Sequence, residues 1–166
     1  MNQIKQVFAD RYESQGALRS PPHVTLQPPF DWETAQLPAL TATLQDFARN
    51  NRPLPIELAG YGCFAPRVIY IHVVKTPALL DLQQTLMAHL ETHLGLIDPR
   101  LRSRPFSPHM TVAFRDLTRQ NFHLAWPEFK QRPLNYEFEA TELTLLRHNG
   151  RHWETEQEFT LGTEAD

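Results

Sequence analysis

Apolar residues recur every three to four positions over residues 2–13, where Ile4, Val7, Phe8 and Tyr12 share one side of a helix. The same period returns over 38–50 with Leu40, Leu44 and Phe47, and most clearly over 78–94 with Leu79, Leu82, Leu86 and Leu90. That last run carries its own punctuation: Thr76 as a cap, Pro77 beside it, and Gly95 as a stop. Elsewhere the pattern is that of strands. LPIELAGYGCF (54–64) and RVIYIHVVK (67–75) are β-rich runs separated by Ala65-Pro66, which predicts an antiparallel pair. HVTL (23–26) and HMTVAF (109–114) read as short strands, and Thr118 opens a short helix toward Trp126. The run from Ala140 to Leu161 reads as a hairpin folded at a tight primed turn on Asn149-Gly150. Helices and strands are interspersed without regular βαβ spacing, so an α+β fold with largely antiparallel sheet is expected.

Composition narrows the setting. A chain of 166 residues suits one domain, or two small lobes, and can bury a core without disulfides. With 41% hydrophobic and 21% charged residues it has ordinary globular composition. Cys63 is the one cysteine, so no intrachain disulfide forms and a reducing compartment is expected. GYGCF offers neither a helix start nor a cation to activate Cys63 as a nucleophile. The apolar runs fall well short of the roughly 20 residues that span a bilayer, and the N-terminus lacks the apolar core of a signal peptide. A cytoplasmic protein without membrane contact is the expectation.

The net charge of −3 exerts no global pull on nucleic acid, but the charges are unevenly placed. Between Arg100 and Arg119 five arginines (100, 102, 104, 115 and 119) face a single acid, Asp116. That excess surrounds one of two similar segments, SPPHVTLQPPF (20–30) and FSPHMTVAF (106–114), each with Pro-His-apolar-Thr-apolar closing on phenylalanine. On a strand, His23 and Thr25 share one face and Val24 and Leu26 the other; His109 and Thr111 oppose Met110 and Val112 in the same way. Two imidazoles brought to one cleft suit in-line displacement at a phosphodiester, one accepting a proton while the other donates. The threonine hydroxyls can donate to non-bridging oxygens as charge builds there.

These twin segments resemble the signature of the 2H phosphoesterase superfamily, whose members include 2′-5′ RNA ligases and cyclic phosphodiesterases. LRSPPHVTLQPPF and FSPHMTVAFRDLT are similar to the extended motif contexts of that family, and RVIYIHVV falls where it has a sheet strand. The resemblance implies a bilobal α+β fold, residues 1–166 forming one domain, with two mainly antiparallel sheets flanking a V-shaped cleft of pseudo-two-fold symmetry. It implies that His23 and His109 are an acid/base pair and that Thr25 and Thr111 are phosphate ligands. Metal-independent action on 2′,3′-cyclic phosphates or 2′-5′ linkages follows, with no cofactor and a nucleotide or RNA terminus as substrate. Two other outcomes stay open: an RNA ligase running the reverse reaction, and a binding module holding nucleotide or RNA ends without turnover. Family members usually begin with a strand before the first helix, and here that strand is missing from the sequence pattern; the bared sheet edge predicts either a homodimer through that edge or marginal stability.

Further candidates sit near the motifs. On RVIYIHVVK, Ile69, Ile71 and Val73 alternate with Tyr70 and His72, which are placed to stack a base or touch phosphate if the apolar side faces the core. Arg102 and Arg104 precede the second motif and carry the fork that suits a phosphate. His89 and His93 stand at a zinc-binding spacing, but HLETH is not a metalloprotease motif and reads as helix surface. His148 and His152 flank the hairpin turn as exposed residues.

Overall fold

The computed structural model describes residues 1–97 and 105–162. Arg100, Arg102 and Arg104 therefore lie outside the described residues. Among the described residues four helices, α1 (Asn2–Tyr12), α2 (Leu37–Arg49), α3 (Pro77–Leu94) and α4 (Arg119–Gln131), accompany six strands. These are β1 (Leu54–Phe64), β2 (Val68–Val73), β3 (His109–Ala113), β4 (Asn135–Ala140), β5 (Glu142–His148) and β6 (Trp153–Thr160). They form an antiparallel four-stranded sheet in the order β3-β2-β1-β4 and a two-stranded β5-β6 sheet. The class is α+β, as the sequence pattern indicates.

Helix ends follow the local chemistry. The Leu79 amide donates to the Thr76 hydroxyl at 3.2 Å, and Gly95 takes the left-handed conformation (φ 64°) that closes α3. At α4 the Asn121 amide donates to the Thr118 hydroxyl at 3.1 Å. This helix passes Trp126 and Pro127 and ends at Gln131, because its buried stripe of Phe122 and Ala125 continues to Phe129.

Phe129 joins the helices to the sheet. It is fully buried, with ring centroids 4.3 Å from Phe8 of α1 and 5.2 Å from Tyr61 of β1. A phenylalanine so placed contributes about 3–5 kcal/mol, judged by truncation to alanine elsewhere. Leu58, Ile69, Ile71 and Val112 are fully buried with it, so one face of the four-stranded sheet is the core and the other is left for the site. Helix α2 lies between α3 and β6, where Phe47 meets His89 at 5.4 Å.

Two expectations are corrected, and one strand is added. HVTL is not a strand: residues 21–30 pair with no neighbour in either sheet. Pro21, Pro22, Pro28 and Pro29 bracket the segment and supply no amide hydrogens for a ladder. The hairpin turn spans residues 149–152 rather than two residues. Asn149 takes amide hydrogens from Arg151 (2.9 Å) and His152 (2.8 Å) on its side-chain oxygen, and its own amide donates to the His152 carbonyl. The strand β4 has no counterpart in the sequence expectations; its NYEFEA run is exposed almost throughout at the free edge beside β1.

Candidate active site

The second motif is built by sheet register. Tyr70 of β2 stands opposite Thr111 of β3 and opposite Gly62 of β1, while His72 stands opposite His109. Cross-strand partners project to the same face, so Tyr70, His72, His109 and Thr111 line the side away from the core. The rings touch: Tyr70 lies 5.1 Å from His109 and 5.3 Å from His72, and Phe64 lies 5.2 Å from His109. Gly62 makes this possible. A Cβ there would sit 2.5 Å from the Tyr70 ring, so the missing side chain is the space the ring occupies. Burial pushes the Tyr70 phenol above its ordinary pKa, with Cys63 adding to the rise.

The first motif arrives differently. A 3₁₀ turn (Gly16–Arg19) leads into an arm that carries His23 without strand pairing. The expected alternation survives in part: Val24 and Leu26 pack against the core, Thr25 is exposed, and His23 is half-buried. The arm is held at its base by Asp116, just past β3. One carboxylate oxygen takes the Gln15 and Gly16 amides at 2.6 and 2.7 Å, and the other takes the Ser14 hydroxyl at 2.9 Å.

Both histidines make the same local bond. His23 Nδ1 donates to the Pro21 carbonyl at 2.7 Å, and His109 Nδ1 donates to the Ser107 carbonyl at 2.7 Å. A carbonyl can only accept, so each Nδ1 carries hydrogen and each neutral ring keeps Nε2 as its basic atom. The His23 pKa is lowered, chiefly by burial; the Pro21 carbonyl pulls it partly back up, and the charges of Lys5 and His109 each add a smaller downward push. A charge on His109 therefore disfavours one on His23, which couples the two motifs electrostatically.

Of the residues singled out in the sequence, the structure brings His109, Thr111, Tyr70 and His72 onto one face and places His23 in electrostatic reach of His109. Arg104 lies outside the described residues. His89 is not in this group: its Nε2 lies 3.2 Å from the Thr43 carbonyl and 3.6 Å from Asp46, against α2. An open hollow of about 310 Å³ flanks the arm between Arg19, Pro21 and Trp153, and neither motif histidine lines it. Among the described residues no helix is long and apolar enough to cross a membrane.

Sequence reading missed three contributors: Phe64, Asp116 and Lys5. Lys5 shares the buried stripe of α1 with Phe8 and Tyr12. The signal was present, because residues 5, 8 and 12 keep helical spacing and place a lysine among core residues.

Solved structures share this architecture. A Thermus thermophilus protein superposes with a TM-score of 0.65 at 22% identity, covering 99% of this chain and 95% of its own. Escherichia coli LigT in complex with ATP gives 0.60 at 18% identity, covering 98% and 93%. The fold is thus LigT-like, a four-stranded antiparallel sheet with a smaller two-stranded one. The sequence comparisons go further. The family model described as the 2′-5′ RNA ligase superfamily matches residues 1–152. A Bacillus mycoides protein named "Putative phosphoesterase" is 31% identical over 158 residues, 93% of this chain and 86% of that one. A Geobacillus thermodenitrificans protein of the same name is 30% identical over 159 residues, again 93% and 86%. The chain belongs to the 2′-5′ RNA ligase superfamily of two-histidine phosphoesterases, an enzyme family.

Proposed function

We propose that this protein hydrolyses 2′,3′-cyclic phosphates or 2′-5′-linked nucleotide or RNA ends, using His23 and His109 as a proton-transfer pair. The observation that carries the reading is the matched Nδ1–H···O=C bond at both histidines, which leaves both Nε2 atoms for chemistry. His23 is the base. Burial and the neighbouring positive charges keep it neutral, so its Nε2 is ready to take a proton from water. As the water oxygen bonds to phosphorus, the opposite P–O bond breaks and His109 Nε2 delivers a proton to the departing oxygen. A proton on His109 reinforces the neutral state of His23. Thr25 and Thr111 donate to the non-bridging oxygens, and Tyr70, His72 and Phe64 form the wall on which a base or ribose rests. In this reading the cleft lies between the site face of the four-stranded sheet and the His23 arm. LigT has been solved with ATP and with 3′-AMP, which supports a nucleotide-sized ligand for a cleft of this fold. With a 5′-hydroxyl in place of water as the attacking group, the same residues would open the cyclic phosphate by joining it to that hydroxyl, which is the ligase reaction.

The test is turnover of 2′,3′-cyclic nucleotides and short RNAs with cyclic-phosphate ends, in EDTA, by wild type, His23→Ala and His109→Ala. Wild-type hydrolysis that survives chelation and vanishes in both variants is expected. Full activity in either variant would refute the paired mechanism. Binding without turnover in all three would make the protein a binding module. The expected homodimer is tested by sedimentation velocity, where a monomer at every concentration would refute it.

A further inference from the structure

Lys5 is a lysine where a core residue belongs. Its side chain is 1% exposed, on the same helical stripe as Phe8 and Tyr12. No carboxylate among the described residues pairs with it; its ammonium donates to the carbonyls of Ala17 and Ser20, both at 2.9 Å. Burying an ammonium costs several kcal/mol, and an apolar residue of similar volume in such a place is often neutral or stabilising. Stability alone therefore gives no reason for lysine here.

Its two acceptors give the reason. Ala17 belongs to the 3₁₀ turn that opens the arm, and Ser20 immediately precedes Pro21, whose carbonyl holds the His23 ring. His109 is held by its ladder with β2, whereas the His23 arm has no strand partner. We infer that Lys5 is the positioning residue of the first motif, fixing the arm by its Ala17 and Ser20 bonds and placing a positive charge beside His23. The inference rests on the paired-histidine reading. Lys5 supplies from one point what the sheet supplies to His109 along a ladder. Its charge acts in the same direction as burial, keeping His23 neutral and basic. Burial lowers Lys5 itself to about 8, which leaves it mainly charged at neutral pH. Among the described residues Arg19 lies within the arm itself, His109 interacts with His23 from β3, and Asp116, in the turn after β3, grips residues 14–16 rather than Lys5.

The experiment compares wild type with Lys5→Met, which fills similar volume but donates no hydrogen bond and carries no charge. Steady-state kinetics on a 2′,3′-cyclic nucleotide are run beside ¹⁵N-histidine NMR titration, with circular dichroism and thermal unfolding to establish folding. A fall in kcat on the order of 10–100-fold is expected, with KM changed only a few-fold, because the arm loses its placement rather than its contacts. The His23 titration midpoint is expected to rise and its Nδ1–H preference to weaken. A folded Lys5→Met protein with unchanged kcat and an unmoved His23 titration would overturn the inference. If Lys5→Met does not fold, wild type decides: Lys5 ammonium protons slow to exchange and coupled to the Ala17 and Ser20 carbonyl carbons support the inference, and their absence overturns it. If wild type turns over no substrate, the phosphoesterase reading fails on its own, while the His23 titration still decides the role of Lys5.

Discussion

Gly16 is where the two motifs are locked together, and its replacement by alanine measures how tightly. A Cβ at residue 16 would lie 2.5 Å from the Phe114 carbonyl oxygen and 2.8 Å from an Asp116 carboxylate oxygen. The first of these is backbone, directly after β3, and cannot swing aside. Accommodation requires the arm to back away from the turn, which stretches the 2.6 and 2.7 Å bonds from the Gln15 and Gly16 amides to Asp116. Overpacking of this kind typically costs about 1–3 kcal/mol, and loosening a hydrogen bond to a charged group adds about 1 kcal/mol on an exposed site. A loss of roughly 2–4 kcal/mol is expected for Gly16→Ala. In a chain of this size each kcal/mol moves Tm by about 2–4 °C, so the melting point should fall by about 4–16 °C. Urea unfolding gives the free energy directly, and the midpoint should drop without a change in slope. Because the displaced segment leads to His23, kcat on a cyclic nucleotide should also fall by more than about 10-fold. A Gly16→Ala protein within about 0.5 kcal/mol of wild type would mean that the arm yields freely there, and the argument that Asp116 registers one motif against the other would fail.

Three more outcomes are expected. Thr25→Val and Thr111→Val should each lower kcat on the order of 10²-fold with the fold intact, by loss of one donor to the developing charge; unchanged kcat in either would remove that threonine from the mechanism. Gly62→Ala should drive the Tyr70 ring from its place between Phe64, His72 and His109, raising KM for a nucleotide, since a Cβ would meet the ring at 2.5–2.7 Å; unaltered Tyr70 and His109 ring NMR shifts would refute this. Stability should climb as pH rises from about 8 toward 10.5, because Lys5 releases its proton earlier folded than unfolded, a gain of roughly 2–3 kcal/mol that Lys5→Met abolishes. Near the top of that window Tyr12, Tyr61 and Tyr70 pull the other way, since burial raises each phenol. The lowered pKa of His23 acts at the acid end, removing stability as pH falls below 6.5 and through its folded value. Denaturant titrations across pH, wild type against Lys5→Met, check the sign; parallel curves above about pH 8 would contradict the buried charge.

The elements that were legible in the sequence are those in which a short stretch contains its own reasons. Thr76, Pro77 and Gly95 bound α3 with no help from the rest of the chain. The alternation of Ile69, Ile71 and Val73 with Tyr70 and His72 was enough to sort the two faces of β2. What misled was whatever depends on a distant partner. HVTL has the composition of a strand, but a strand needs a neighbour, and its flanking prolines leave little for one to bond. NYEFEA carries strand-forming aromatics between glutamates, and only its pairing with β1, from Leu54↔Ala140 to Ala59↔Asn135, reveals it. The four catalytic candidates could be read from repetition alone. Asp116 and Phe64 could not, because each acts across a gap in sequence that only the fold closes; Lys5 was legible as a lysine on an apolar helical stripe, but its partners Ala17 and Ser20 were not.

The unequal mounting of the two histidines also bears on how this site tolerates lengthening of the chain. One residue added within β2 or β3 would reverse the side chains beyond it, turning His109 or Tyr70 toward Phe8 and Phe129 and bringing core residues to the surface. The His23 arm has no such parity to keep. One residue added after Ser20 leaves the Lys5 and Asp116 anchors where they are and merely lengthens the tether to the imidazole. Insertions on the arm therefore cost the placement of His23 but not the fold, while the sheet half must keep its length.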